Sequence, residues 1–277
     1  MKKLYIKLIA VALIGLTATS CQKKFDPSTY APPLSIGGYT STKEIATSNL
    51  VAYYSFNGNP TDSVTNTAGT ATGIGYTDGI KGQAMQGALN GYIIGTPSAA
   101  VTGLKSFTVT EWFKTPAPSN GVIGLFSLAN TTAFWGNIEI FIENGSTNEN
   151  GKLRIHISNG TDDKTFVVDN VVNLFDKWNS MAVSYDQASS TVTLYMNGSK
   201  VSSGTVAGLA GPLALKNVGK LVFGCVQFMT NPSQTSSHGA EPWASFLTGQ
   251  LDEVRVYDKA LTIDEISALV KLEGRGK

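Results

Sequence analysis

The chain has 277 residues, of which 42% are hydrophobic and 15% charged, and it carries 29 glycines. That apolar content can bury a large core, and glycine-rich, weakly charged chains of this length suit a single all-β domain of many strands joined by turns. Lys and Arg number 21 against 20 Asp and Glu, so no charge imbalance points to nucleic acid or an anionic surface.

Met1 to Ser20 reads as an export signal. Lys2, Lys3 and Lys7 precede the apolar run Leu8 to Leu16, which is too short to span a bilayer. Ala18-Thr19-Ser20 then leads into Cys21 and resembles a bacterial lipobox, with Ala18 where that pattern prefers Leu. The resemblance implies lipidation at Cys21 and an outer-membrane lipoprotein of the cell envelope, held to the membrane by a lipid anchor only. Ordinary signal cleavage, releasing a secreted protein, is the alternative. Gln22 to Asn49 contains Pro27, Pro32, Pro33, Gly37 and Gly38 and reads as a flexible tether, with the stretch near Ile45 open to assignment to the domain. The expected organisation is a signal peptide over 1–20, a lipidated N-terminus and tether over 21–49, and one domain over 50–272.

Leu50 to Phe56 opens the domain, followed by the turn-rich Asn57 to Ser63. In Ser106 to Thr115, Phe107, Val109, Glu111 and Phe113 alternate with Thr108, Thr110, Trp112 and Lys114. Glu111 therefore shares a face with apolar neighbours, and either buries an acid or opens a polar groove. Further strands are expected at Val122 to Leu128, Asn137 to Glu143, Lys152 to Ser158, Thr165 to Asp169, Trp178 to Tyr185 and Thr191 to Met196. Asn197-Gly198 is a hairpin signal, because both central residues of a type I′ turn need positive φ. Cys225, inside Leu221 to Val226, reads as a small core residue, and with Cys21 lipidated it has no disulfide partner.

In Leu251 to Tyr257 the period of two places Asp252 on one face with Val254 and Val256. An acid facing a sheet interior must be neutralised, hydrogen-bonded or metal-bound. Thr262-Ile263-Asp264-Glu265 is a capping box that starts a short helix. The run Gly249-Gln250-Leu251-Asp252-Glu253-Val254-Arg255-Val256-Tyr257-Asp258-Lys259-Ala260-Leu261-Thr262 closely resembles the closing motif of LamG-like domains. Leu50 to Ser63 with Gly82 to Met85, and the pairing of Trp178 to Asp186 with Val192 to Gly198, add to the resemblance, which covers about Leu50 to Leu269. It implies a two-sheet antiparallel jelly-roll sandwich of concanavalin A-like type with a short C-terminal helix.

The superfamily contains glucanases, and Glu139-Ile140-Phe141-Ile142-Glu143 sets two carboxylates on one strand face. Phe141 stands where the glucanase pattern has a central acid, so the reading is non-catalytic. His156 and His238 have no metal-ligand spacing, and no Gly-x-Ser-x-Gly elbow is present. The resemblance supports a structural calcium ion, with Asn57, Asp62 and Asp252 as ligands if the opening and closing strands lie together. Main-chain amides would satisfy the same two carboxylates without a metal. Trp112, Trp135 and Trp243, with Glu111, are the candidates for carbohydrate binding; Trp243 closes the long polar loop Thr230 to Pro242, and Trp178 is expected to plug the core. The expected function is non-catalytic carbohydrate binding, with adhesion to a partner protein as the alternative.

Overall fold

A computed structural model describes residues 35–160 and 163–276. Two sheets form a sandwich. The first is ten-stranded and runs in the order β15 (Ser199–Thr205), β14 (Thr191–Met196), β13 (Asn179–Asp186), β8 (Phe107–Lys114), β18 (Gln250–Tyr257), β1 (Leu50–Tyr54), β2 (Thr61–Asp62) and β3 (Thr67–Ala68). In it β6 (Gln83–Gln86) also pairs with β18, and β5 (Gly75–Asp78) pairs with β6. The second is eight-stranded, in the order β12 (Asp163–Val171), β11 (Gly151–Ser158), β10 (Ile138–Ile142), β9 (Val122–Asn130), β16 (Val218–Phe223), β7 (Tyr92–Gly95) and β4 (Thr70–Thr72). The short β17 (Ala244–Ser245) runs parallel to β9, and the described residues add two α-helices, α1 (Ala99–Thr102) and α2 (Ile263–Glu273).

Alternation builds the main core. Phe107, Val109 and Phe113 of β8 meet Phe126 and Leu128 of β9, Ile140 of β10 and Ile155 of β11 between the sheets. The expected strands are present, and the Asn197-Gly198 turn has φ of 51° and 78°, both positive as a type I′ turn requires. It returns the chain into β15. Cys225 is buried and unpaired. Thr262 caps α2 in the reciprocal arrangement with Glu265.

Three expectations need correction. The first concerns the tether. Ser35 onward belongs to the same compact unit as the sandwich, and Ile36, Tyr39 and Ile45 pack against Ala268, Leu269 and Leu272 of α2. Apolar side chains spaced along that segment cover the helix face that the sheet leaves uncovered, so the domain begins before Leu50. Residues 1–34, including Cys21, lie outside the described residues. The second is Trp178, which is half-buried at the edge of β13 and absent from the core clusters.

The third is the face of Asp252. Asp252 pairs with Trp112, but the next register partner is Arg255 with Thr110, so a β-bulge intervenes and Glu253 adopts φ of 51°. One extra residue reverses the alternation. Leu251, Val254 and Val256 therefore face the core, while Asp252, Glu253 and Arg255 turn to the outer face, Asp252 toward the turn between β5 and β6 and Arg255 toward Glu273 of α2.

Opposite that bulge, Glu111 points into the main core. It is 1% exposed and neither carboxylate oxygen has a hydrogen-bond partner. Burial pushes its pKa from 4.5 up to about 8, so the side chain is predominantly protonated at neutral pH. Folding then takes up a proton. The associated stability is fully present below about pH 4.5 and is lost as pH rises through about 8, by up to about 1.4 kcal/mol per pH unit. Asp252, raised to about 7 by burial and by Glu253, acts in the same direction, so a substitution is needed to separate the two. Urea unfolding at pH 5 and pH 8 should show wild type losing more stability than Glu111→Gln across that interval. Equal losses would mean that Glu111 does not titrate there.

Candidate functional site

The outer face of the second sheet carries the aromatic side chains that the sandwich interior does not use. Ser127, Glu139, His156 and Thr165 stand side by side across β9, β10, β11 and β12, and Phe141 stands beside Arg154 one step along. The loop 131–136 folds back over this row. It lays Trp135 nearly flat on His156 and Phe141, with centroids 4.3 and 5.0 Å away and interplanar angles of 14° and 10°. Phe134 contacts Trp135 edge-on at 5.0 Å and lies within 22° of parallel to Trp243 at 6.0 Å. Phe228 is fully buried beneath them, whereas Trp243 is 41% exposed. The two tryptophans incline at 59° with centroids 6.0 Å apart, forming a notch.

A buried polar clamp holds this loop. Glu139 is fully buried; its Oε2 accepts the Gly136 amide at 2.8 Å and its Oε1 accepts the Gln227 amide at 2.8 Å. The Gln227 carboxamide in turn donates to the carbonyls of Ala133 and Phe134, each at 2.9 Å, and accepts the Asn130 amide at 2.7 Å. Thr235, from the long polar loop, adds a hydroxyl bond to the Ala133 carbonyl. Hydrogen bonds to a side chain shut away from water are costly to lose, because no solvent replaces them. The rim is polar: Arg154 bridges Glu143 at 3.4 Å and Asp169 at 2.9 Å, and His238 sits against Phe134 at 4.3 Å.

The structure therefore brings Trp135 and Trp243 together and separates Trp112 and Glu111 from them. Trp112 is 8% exposed on the other sheet, under α2, where its indole donates to Glu273 at 2.6 Å. Glu111 is in the core. Neither reaches a ligand at the aromatic notch, because β8 belongs to the first sheet. Glu139 and Gln227 were not legible as supports, because the bonds through Gln227 join segments about ninety residues apart. Phe228 shows only the signal of an aromatic residue just before the long loop.

The laminin G family model described as the concanavalin A-like lectin/glucanases superfamily matches residues 86–267. The chain belongs to this superfamily. No curated protein matches the sequence. Among solved structures, domain 4 of AbnA, a GH43 extracellular arabinanase from Geobacillus stearothermophilus solved with arabinotriose, is 22% identical with a TM-score of 0.54, covering 80% of this chain and 98% of that one. The binding domain of Paraclostridial Mosquitocidal Protein 1 is 18% identical with a TM-score of 0.58, covering 81% and 52%. The binding domain of botulinum neurotoxin DC, solved with rat synaptotagmin II, is 12% identical with a TM-score of 0.58, covering 83% and 52%. The chain thus spans about half the length of the two toxin domains and nearly all of the arabinanase domain. At these identities the likeness establishes the fold.

The residues expected to hold calcium divide between the turn joining β5 to β6, held by Asn57 and Asp252, and the segment around Asp62. Asn57 Oδ1 accepts the Gln83 amide at 2.6 Å, and Asp252 Oδ2 accepts those of Ile80 and Lys81 at 2.8 and 3.2 Å, so both grip the turn between β5 and β6. That turn approaches so closely that a Cβ at Gly79 would overlap Asp252 Oδ2 and one at Gly82 would overlap Asn57 Oδ1. Asp252 Oδ1 accepts the Glu253 amide at 2.8 Å. Asp62 serves its own loop, accepting the amides of Tyr53 and Val64 at 2.9 and 3.0 Å and the Thr65 hydroxyl at 2.6 Å. Among the described residues no three acidic, histidine or cysteine side chains gather to hold a metal. Main-chain amides and the Thr65 hydroxyl already point at these carboxylates, which is the arrangement expected where amides rather than a metal satisfy them.

Two measurements follow from this geometry. Melting curves with and without chelator should coincide, since amides satisfy the carboxylates. Asp252→Asn should destabilise by about 1–3 kcal/mol in denaturant titration, because a side-chain amide would then face main-chain donors. A chelator-dependent melting midpoint would contradict the arrangement.

Proposed function

We propose that this chain is a cell-envelope lipoprotein whose sandwich binds carbohydrate without cleaving it. The observation that carries the proposal is the notch formed by Trp135 and the exposed Trp243, backed by Phe134 and rimmed by Arg154, Glu143, Asp169 and His238. Aromatic faces pack against the C–H faces of sugar rings while polar rim groups fix their hydroxyls. The solved arabinanase domain with bound arabinotriose supports a saccharide ligand on this fold.

The acids argue for binding over hydrolysis. Glycoside cleavage needs one carboxyl free to protonate and another free to attack or activate water. Glu139 instead spends both oxygens on main-chain amides, Glu143 pairs with Arg154, and Phe141 between them lies beneath Trp135. The envelope location rests on the signal and Cys21, which lie outside the described residues. Among the described residues no helix is long and apolar enough to cross a membrane.

Trp243→Ala should weaken binding of soluble oligosaccharides, chosen from a glycan array with the wild type, by at least about tenfold in tryptophan-quenching titrations, with little change in melting midpoint. Unchanged affinity would remove the notch as the site, and release of reducing sugar by the wild type would overturn the non-catalytic reading. Cys21→Ser should shift the full-length protein from the membrane fraction to the soluble fraction; retention on membranes after a high-salt wash would exclude the lipid anchor.

A further inference from the structure

The outer face of the second sheet continues past the notch. Beyond the loop that ends at Trp243, a cavity of about 320 Å3 opens beside β7 and β4, lined by Thr72, Asn90, Tyr92, Met229, Asn231 and Phe246. Tyr92 and Thr72 are register partners on this outer face, while Ile93 between Tyr92 and Ile94 enters the core. The Tyr92 hydroxyl accepts the Asn231 amide and donates to the Asn231 carbonyl, each at 3.0 Å. This pair of hydrogen bonds from one hydroxyl to one residue pins the loop as a wall of the cavity.

Its chemistry is specific. The carboxamides of Asn90 and Asn231 and the hydroxyl of Thr72 are exposed and make no hydrogen bond within the described protein. Each carboxamide offers donors and an acceptor, and each hydroxyl offers both, which is what a ligand hydroxyl needs from a site. Phe246, Met229 and the Tyr92 ring supply an apolar side. No lining residue carries a formal charge at neutral pH, so an ionic ligand would lose hydration without gaining a counter-charge.

We propose that this cavity is a second binding site, for a neutral, hydroxyl-rich ligand of one or two sugar units. It stands on its own lining and does not require the aromatic notch to bind anything. Trp135 lies over β10 and β11 and the cavity beside β7, with β9 and β16 between, while Met229 packs against both groups of side chains and Trp243 stands three residues before Phe246. Three strand spacings put the Trp135 side of the notch roughly 14 Å from β7, so the cavity adjoins the Trp243 side without sharing Trp135.

The test uses saturation-transfer NMR and titration calorimetry with glucose, galactose, arabinose, N-acetylglucosamine and glucuronate as probes. The full chain is compared with Trp243→Ala, with Thr72→Tyr, which places a ring in the cavity from an exposed strand position, and with the double variant. Asn231→Ala is a second, smaller lesion, and melting midpoints confirm that each variant folds. At least one neutral sugar should keep its transfer signal in Trp243→Ala, lose it in the double variant, and bind at least about tenfold more weakly to Asn231→Ala. Loss of every signal in Trp243→Ala alone would overturn the second site and leave the notch standing. Signal surviving in the double variant, tighter binding of glucuronate than of any neutral sugar, or no signal in the wild type would also overturn it. If Thr72→Tyr abolishes all binding and Trp243→Ala changes none, the cavity stands and the notch reading falls.

Discussion

Much of the first sheet is set by one extra residue in β18, at Glu253. β18 has β8 along one side, but on the other it pairs with β6 near Leu251 and with β1 from Val254 onward. The bulge falls at this change of neighbour. It turns Asp252 toward the β5–β6 turn, where it takes two amides, and Glu253 toward Tyr53 of β1, whose hydroxyl it accepts at 2.7 Å. A regular strand would aim consecutive acids at opposite faces, one of them into the core.

The same bulge assembles a buried charge cluster under α2. Arg255 pairs with Glu253 at 2.6 Å and with Glu273 of the helix, lies 4.1 Å from the Tyr53 ring centre, and shares Glu273 with the Trp112 indole. Removing one partner of such a cluster leaves an uncompensated buried charge, which is why the helix is tied to the sheet through it. Trp112 is thereby a structural anchor. Its distance from the aromatic notch follows from the two-sheet architecture, since the closing helix and the notch occupy opposite outer faces of the sandwich.

On the second sheet a carboxylate does comparable work for the loop that bears Trp135. Glu139, one of the two strand carboxylates singled out from the sequence, has two main-chain amides to hold. Those amides belong to the loop 131–136 and to the segment that enters the long polar loop, so a single side chain couples the supports of both tryptophans.

Local patterns in the sequence determined a good deal. Alternation placed the strands, Asn197-Gly198 specified its hairpin, Thr262 and Glu265 specified the start of α2, and the replacement of an acid by Phe141 was visible directly. Glu111 among apolar neighbours was also legible, although not that it would lie wholly within the core without a partner. Only the tertiary structure decided the face of Asp252, because a bulge changes the phase of a strand and depends on which neighbours meet it. It likewise decided that Ile36 to Ile45 cover α2, that Trp112 and Trp135 lie on different sheets, and that Gln227 supports Phe134. Each of these joins residues far apart in the chain, and periodicity carries information about a residue's own element but none about which distant backbone will offer it an amide.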